Sequence, residues 1–233
     1  MRTQEKHATR FRSIQTSLLF VIVPAVIISM AVLSLMGYLS SKAIIQTSAG
    51  NEMSQCLSVA MGSIEMSLSN NRMVAETMAR GVEAIQRQAV KGDQTASDWD
   101  AAAYQEILTS FVGSNPETFG GGIWFEPYQY RPEQRYFSPY CMRQNGAVTY
   151  VDNYSLGEGV YYTDQDWYTN AANTTQKSVW SAPYYDEFAQ ISMVTSSAPI
   201  YDETGRLLGV ATADIDLTQM QQMVLSLDVV ANG

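Results

Sequence analysis

A chain of 233 residues that is 46% hydrophobic, 11% aromatic and only 16% charged can bury one sizeable core with a smaller helical appendage, which excludes disorder for most of its length. Its formal charge of −9 excludes the basic face that a phosphate backbone demands, so no nucleic-acid partner is expected. One histidine, His7, and two cysteines, Cys56 and Cys141, leave almost no material for zinc sites, Ser-His-Asp triads or Cys-His pairs; neither catalysis nor a bound cofactor or metal is expected.

Residues 1–16 form a basic tail in which Arg2, Lys6, Arg10 and Arg12 face Glu5 alone, a flank that stays on the cytoplasmic side. Residues 17–39 follow without a charge, and their apolar run of roughly 20 residues is long enough to span a bilayer as one transmembrane helix. A cleaved signal peptide has a shorter apolar centre and a small-x-small site, and no such site follows Gly37. Residues beyond Leu39, with ten basic and twenty-two acidic side chains, are therefore expected outside the cell membrane.

Residues 40–92 place Met53, Leu57, Ala60, Ile64 and Leu68, then Val74, Met78, Val82 and Ile85, at helical spacing, predicting a long extracytoplasmic helix with soft points at Gly50, Gly62, Asn70, Asn71 and Gly81. Its apolar face packs on a domain or pairs with a second copy as a homodimer, and its methionines read as core. After Lys91-Gly92-Asp93 a short helix is expected from about Ser97 to Val112, burying Trp99, Tyr104, Ile107, Leu108 and Phe111.

Beyond Asn115-Pro116 the runs Phe119–Phe125, Arg135–Arg143, Ala147–Asn153, Val179–Tyr185, Ile191–Tyr201 and Leu207–Asp216 are rich in aromatic and β-branched residues, and Asn145-Gly146 is the strongest hairpin signal in the chain. A helix over Asp164 to Thr174 with Asp164 as its cap, and a last one from Leu217 to about Asp228, complete an α+β module with an antiparallel sheet and flanking helices at 93–217, followed by 218–233. Cys56 and Cys141 are expected as packed thiols.

The pieces DWYTNA at Asp166 to Ala171, WSAPYYD at Trp180 to Asp186, ISMVTSSAPIYD at Ile191 to Asp202 and GRLLGVATADIDL at Gly205 to Leu217 stand in the order and spacing of bacterial extracytoplasmic double Cache (dCache) sensor domains. The chain resembles that family. The resemblance implies a PAS-like fold, with 93–217 as the membrane-distal, ligand-holding module. It also implies a signal-transduction receptor, first a methyl-accepting chemotaxis protein, alternatively a histidine kinase or diguanylate cyclase. Relatives continue into a second module, a second membrane helix and an output domain, so the reading frame is expected to continue past Gly233.

Amino-acid-binding members carry Arg-x-Trp-Tyr, then Tyr-x-Asp, then a final strand Asp. The resemblance places Trp167 and Tyr168, Tyr184 and Asp186, and Asp214 at those positions, with Gln165 where the arginine would hold a ligand carboxylate. A neutral amide cannot supply that paired, charge-assisted contact. Two carboxylates among aromatic faces suit a positively charged amine, whether a free amine or an amino acid, as the small-molecule ligand.

Blander roles remain beside these. Trp167 can anchor its helix to the sheet, Asp186 can open a turn in DEFAQ, and Asp216 reads as the cap of the helix at Leu217, whereas Asp214 lies inside a strand and away from a cap. Trp124 and Trp180 read as core. Twelve of the fourteen tyrosines fall between Tyr128 and Tyr201, a density that alternatively suits a membrane-anchored carbohydrate-binding surface.

Overall fold

The structure, a computed structural model, describes residues 14–91, 101–152, 154 and 159–231. His7, most of the basic tail, Trp99 with the expected start of the second helix at Ser97, and Asn153 lie outside the described residues. The chain divides into two compact units, Met1–Leu57 and Ser58–Gly233.

The first unit is the leading part of helix α1 (Ile14–Lys91), and its side chains from Leu18 to Leu39 are exposed. This stretch is long and apolar enough to cross a membrane. The Ser29 hydroxyl donates to the Ala25 carbonyl at 2.8 Å, pairing a polar group inside the apolar stretch, and Pro24 is accommodated within the helix. The predicted soft points do not break α1: helical structure continues through each glycine and asparagine named above.

In the second unit Val74, Ala75, Met78, Ala79 and Val82 line one stripe of α1, spaced as a 3.6-residue helix requires, and all are buried. They pack with Tyr104, Leu108 and Val112 of α2 (Ala101–Ser114) against one face of a seven-stranded antiparallel sheet. Its strands are β1 (Gly120–Phe125), β2 (Tyr140–Gln144), β3 (Ala147–Val151), β4 (Val179–Trp180), β5 (Tyr184–Asp186), β6 (Ile191–Tyr201) and β7 (Leu207–Asp216), in the order β3-β2-β1-β7-β6-β4, with β5 also on β6. The Cys141 thiol sits in this core, 3.5 Å from the Thr109 hydroxyl, and burial pushes it up from the usual thiol range.

Strand alternation sends every second residue to the opposite face. There, Phe119, Trp124, Tyr140, Met142, Tyr154, Tyr162, Trp167, Tyr168, Met193 and Val210 form a second, aromatic core. Two glycines make this possible. A Cβ on Gly120 would fall 2.1 Å from the Tyr140 hydroxyl, and one on Gly122 would fall 2.7 Å from the Trp124 ring, so bare backbone lets both rings lie across β1. Asn145 and Gly146 take positive φ of 50° and 81° and close the β2–β3 hairpin with Gln144 opposite Ala147, the geometry of a type I′ turn.

Helix α3 (Asp166–Ala172) covers the aromatic face. Its N-cap is Gln165, not Asp164, which instead ends a 3-10 turn over Tyr162–Asp164. The expected strand Arg135–Arg143 begins only at Tyr140, and Val179–Tyr185 divides into β4 and β5 around Pro183, whose missing N–H cannot serve a ladder. Helix α4 (Leu217–Ala231) starts where expected, with the Asp216 carboxylate accepting from the Thr218 N–H at 2.7 Å.

Candidate functional site

The site grows from β7. The register sets Asp214 between Gly120 of β1 and Thr195 of β6, so its carboxylate faces a bare glycine on one side and a hydroxyl on the other. Thr195 donates to Asp214 Oδ1 at 2.7 Å, and the Tyr140 hydroxyl crosses Gly120 to donate to Oδ2 at 2.7 Å. Tyr184 Oη lies 2.8 Å from Thr195 Oγ1. Thr195 has spent its single hydrogen on Asp214, so Tyr184 is the donor in that bond. Across the cleft, Asp186 Oδ1 accepts from the Tyr154 hydroxyl at 2.5 Å and from the Ala189 N–H at 2.7 Å; Oδ2 has no hydrogen-bond partner among the described residues. The turn role expected for Asp186 and a place in the cleft therefore coexist.

These groups, with Trp124, Trp167, Met193 and Thr212, line one cleft on the face of the sheet opposite α1. About 240 Å³ of space lies between its atoms, part of it open to solvent, with room for about one water to move within. Trp124 spends its indole N–H on Thr212 at 2.8 Å and meets the Trp167 ring at 4.8 Å with the two planes tilted by 56°. Among the described residues, no lysine, arginine or histidine lines the cleft. Arg143, which leaves the sheet from neighbouring β2, donates instead to the carbonyls of Val112, Thr118 and Asn115.

Burial is the main force on the titratable groups. It pushes the Asp214 carboxyl up to about 7; the bonds from Tyr140 and Thr195 oppose this, and the nearby Asp186 charge adds to it. Tyr140, Tyr154 and Tyr184 are pushed above the usual phenol range by burial, reinforced by the neighbouring carboxylates, so all three keep their hydrogens at neutral pH.

Of the residues singled out in the sequence, Trp167, Tyr184, Asp186 and Asp214 come together here. Tyr168 and Gln165 do not. The Tyr168 hydroxyl donates to Glu126 at 2.7 Å on the far side of α3, and the Gln165 side chain reaches back to the Tyr161 carbonyl at 3.3 Å. Trp124, read as core, is both buried and a wall. Tyr140, Tyr154, Met193, Thr195 and Thr212 were not anticipated. Period-two spacing ties Thr195 to Met193 and Thr212 to Asp214, but only the strand register says which parity faces the cleft. No local signal marks Tyr154. Of the tyrosine-rich stretch, Tyr130, Tyr140, Tyr154, Tyr162 and Tyr168 are buried, so much of that density fills cores instead of forming a flat sugar-stacking surface.

Residues 104–222, which include most of α2, the whole sheet, α3 and the start of α4, match the methyl-accepting chemotaxis protein-like, first PDC sensor domain family. The chain belongs to that family. The chain is similar to Methyl-accepting chemotaxis protein McpC of Bacillus subtilis, with 39% identity over 62 residues, 27% of this chain and 9% of McpC. The same fold occurs in the ligand-binding domain of the Campylobacter jejuni chemoreceptor Tlp3 in complex with L-valine, at TM-score 0.53 and 16% identity, covering 73% of this chain and 60% of that one. It also occurs in the extracellular domain of the candidate histidine kinase mmHK1S-Z3, at TM-score 0.52 and 23% identity over 67% of this chain and 54% of that one. The chain thus spans little more than half of these solved sensor domains. The antiparallel PDC sheet with its long leading helix is the PAS-like Cache sensor fold expected from the four sequence pieces.

Proposed function

We propose that this chain is the extracytoplasmic sensing part of a membrane receptor, first a methyl-accepting chemotaxis receptor, and that the cleft binds the ammonium group of a small amine. The observation that supports it is the direction of the hydrogens. Tyr140, Tyr154 and Tyr184 turn theirs toward Asp214, Asp186 and Thr195, which leaves their oxygen lone pairs, two carboxylates and the ring faces of Trp124 and Trp167 for a ligand. Such a lining accepts hydrogen bonds and favours positive charge. Without a cationic side chain it offers nothing comparable to a ligand carboxylate, so a free amine fits better than an amino acid.

The cleft admits a ligand larger than water only as its walls part. At the edge of the cleft the β5–β6 turn carries exposed Phe188, which packs 4.4 Å from Tyr154. Asp214 is three residues before Leu217, the first residue of α4, so a ligand drawn onto it pulls on the strand that leads into that helix. A histidine kinase or diguanylate cyclase output, which can use the same front end, is the alternative.

The basic flank before the apolar run of α1 supports a cytoplasmic N terminus and a PDC domain outside. Exposed Val59, Met66 and Met73, seven residues apart on α1, suit pairing with a second copy. Thermal-shift measurement with aliphatic amines, amino acids, neutral sugars and dicarboxylates tests the ligand class. Amines alone are expected to raise the melting temperature; a shift produced only by sugars or anions contradicts the reading.

A further inference from the structure

Asp214 is almost wholly enclosed, and among the described residues the groups around it carry no compensating positive charge. From β1 it meets Gly120, from β2 Tyr140, from β6 Thr195, and from β5 Tyr184 and Asp186; Tyr154 and, from α3, Trp167 complete the surroundings. The titratable members of that set are phenols and a second acid. Two neutral hydroxyl donors are a poor substitute for hydration of a buried carboxylate. The ligand called for above is itself the missing cation.

We infer that Asp214 carries a proton in the unliganded cleft and gives it up to solvent when an ammonium group enters, so that ligand and proton compete for one position. This rests on the amine reading. The O–H bond of the carboxyl breaks, the proton passes to water or buffer, and the charge left on the carboxylate is neutralised by the incoming cation.

The hydroxyl network makes the competition steep. A neutral carboxyl that donates its hydrogen to Tyr140 or Thr195 displaces that hydroxyl's own bond to the same oxygen. The hydroxyl hydrogen then turns elsewhere, and toward the cleft it would face an ammonium donor with a donor. Loss of the proton restores both inward bonds to Asp214 and presents lone pairs to the ligand. The position of the Asp214 carboxyl near 7 puts the exchange in the physiological range. An aliphatic amine, titrating near the lysine value of about 10, stays charged throughout.

The test is calorimetric titration of the full chain in lipid nanodiscs with isobutylamine and with putrescine. Titrations run at pH 6 and pH 8.5, each in phosphate and in Tris, whose ionisation heats differ. The expected result is buffer-dependent heat at pH 6 corresponding to about one proton released, little release at pH 8.5, and roughly tenfold weaker binding at pH 6. Infrared difference spectra of the unliganded wild type against Asp214→Asn are expected to show a protonated-carboxyl band at pH 6 that disappears at pH 8.5. Amine binding with buffer-independent heat and equal affinity at both pH values overturns this inference alone. No heat from either amine at either pH overturns the amine reading and this inference with it. If Asp214→Asn fails to fold, the wild-type calorimetry still decides.

Discussion

Thr195 and Asp214 stand directly opposite each other on β6 and β7, and the threonine hydroxyl donates to the aspartate at 2.7 Å. This cross-strand pair ties the cleft to the sheet, because Thr195 is also the acceptor for Tyr184. Thr195→Val keeps the shape and removes the hydroxyl. It is expected to cost about 1–3 kcal/mol in chemical denaturation, to leave the Tyr184 hydroxyl without its acceptor, and to push the Asp214 carboxyl still higher. The cost and the upward move of the pH midpoint of stability are both measurable.

Asp214 makes the stability of the domain depend on pH. The folded carboxyl holds its proton up to about pH 7, whereas an ordinary one releases it near 3.8, so between those values the native state binds more protons than the unfolded chain. Stability therefore falls as pH rises through that window, by an amount on the order of 4 kcal/mol if this group acts alone. Thermal unfolding from pH 5 to pH 8 is expected to show the decline, and Asp214→Asn to flatten it.

Gly120 is the position where a single methyl group does most damage to the cleft. Gly120→Ala drives a Cβ into the Tyr140 hydroxyl and forces that ring off Asp214. A loss of about 1–3 kcal/mol is expected, together with weaker amine binding. Gly113→Ala, whose Cβ meets nothing within 4 Å, is the matching control.

Tyr140 and Tyr168 separate the roles of two buried tyrosines. Tyr140→Phe removes a donor from Asp214 and is expected to weaken amine binding several-fold. Tyr168→Phe breaks only the bond to Glu126 outside the cleft, and its affinity is expected to stay within about twofold of wild type. Equal losses in the two variants, measured by calorimetry, would contradict the assignment.

These residues also show how far the sequence could be read. Strands β6 and β7 were legible because their long β-branched and small-residue runs have no helical period, and the β2–β3 turn because Asn-Gly tolerates positive φ at both positions. The start of α3 was misplaced because Asp164 has the chemistry of a cap but lies in a 3-10 turn that ends before the helix. Trp167 and Tyr168 could not both face the cleft: neighbouring residues on a helix point about 100° apart, and Trp167 takes the inner position. Gln165, the N-cap with extended backbone, turns its side chain back to the Tyr161 carbonyl instead. Thr195, Tyr140 and Tyr154 meet Asp214 or Asp186 only through strand register and a loop return, which no local pattern specifies.

The most direct test compares ligands that differ only in the carboxylate. Isobutylamine and L-valine share one side chain, and calorimetric titration of the full chain at pH 8 is expected to give binding of the amine at least tenfold tighter than that of the amino acid. Valine binding as tightly as isobutylamine, or more tightly, would contradict a cleft built to accept hydrogen bonds from a cation.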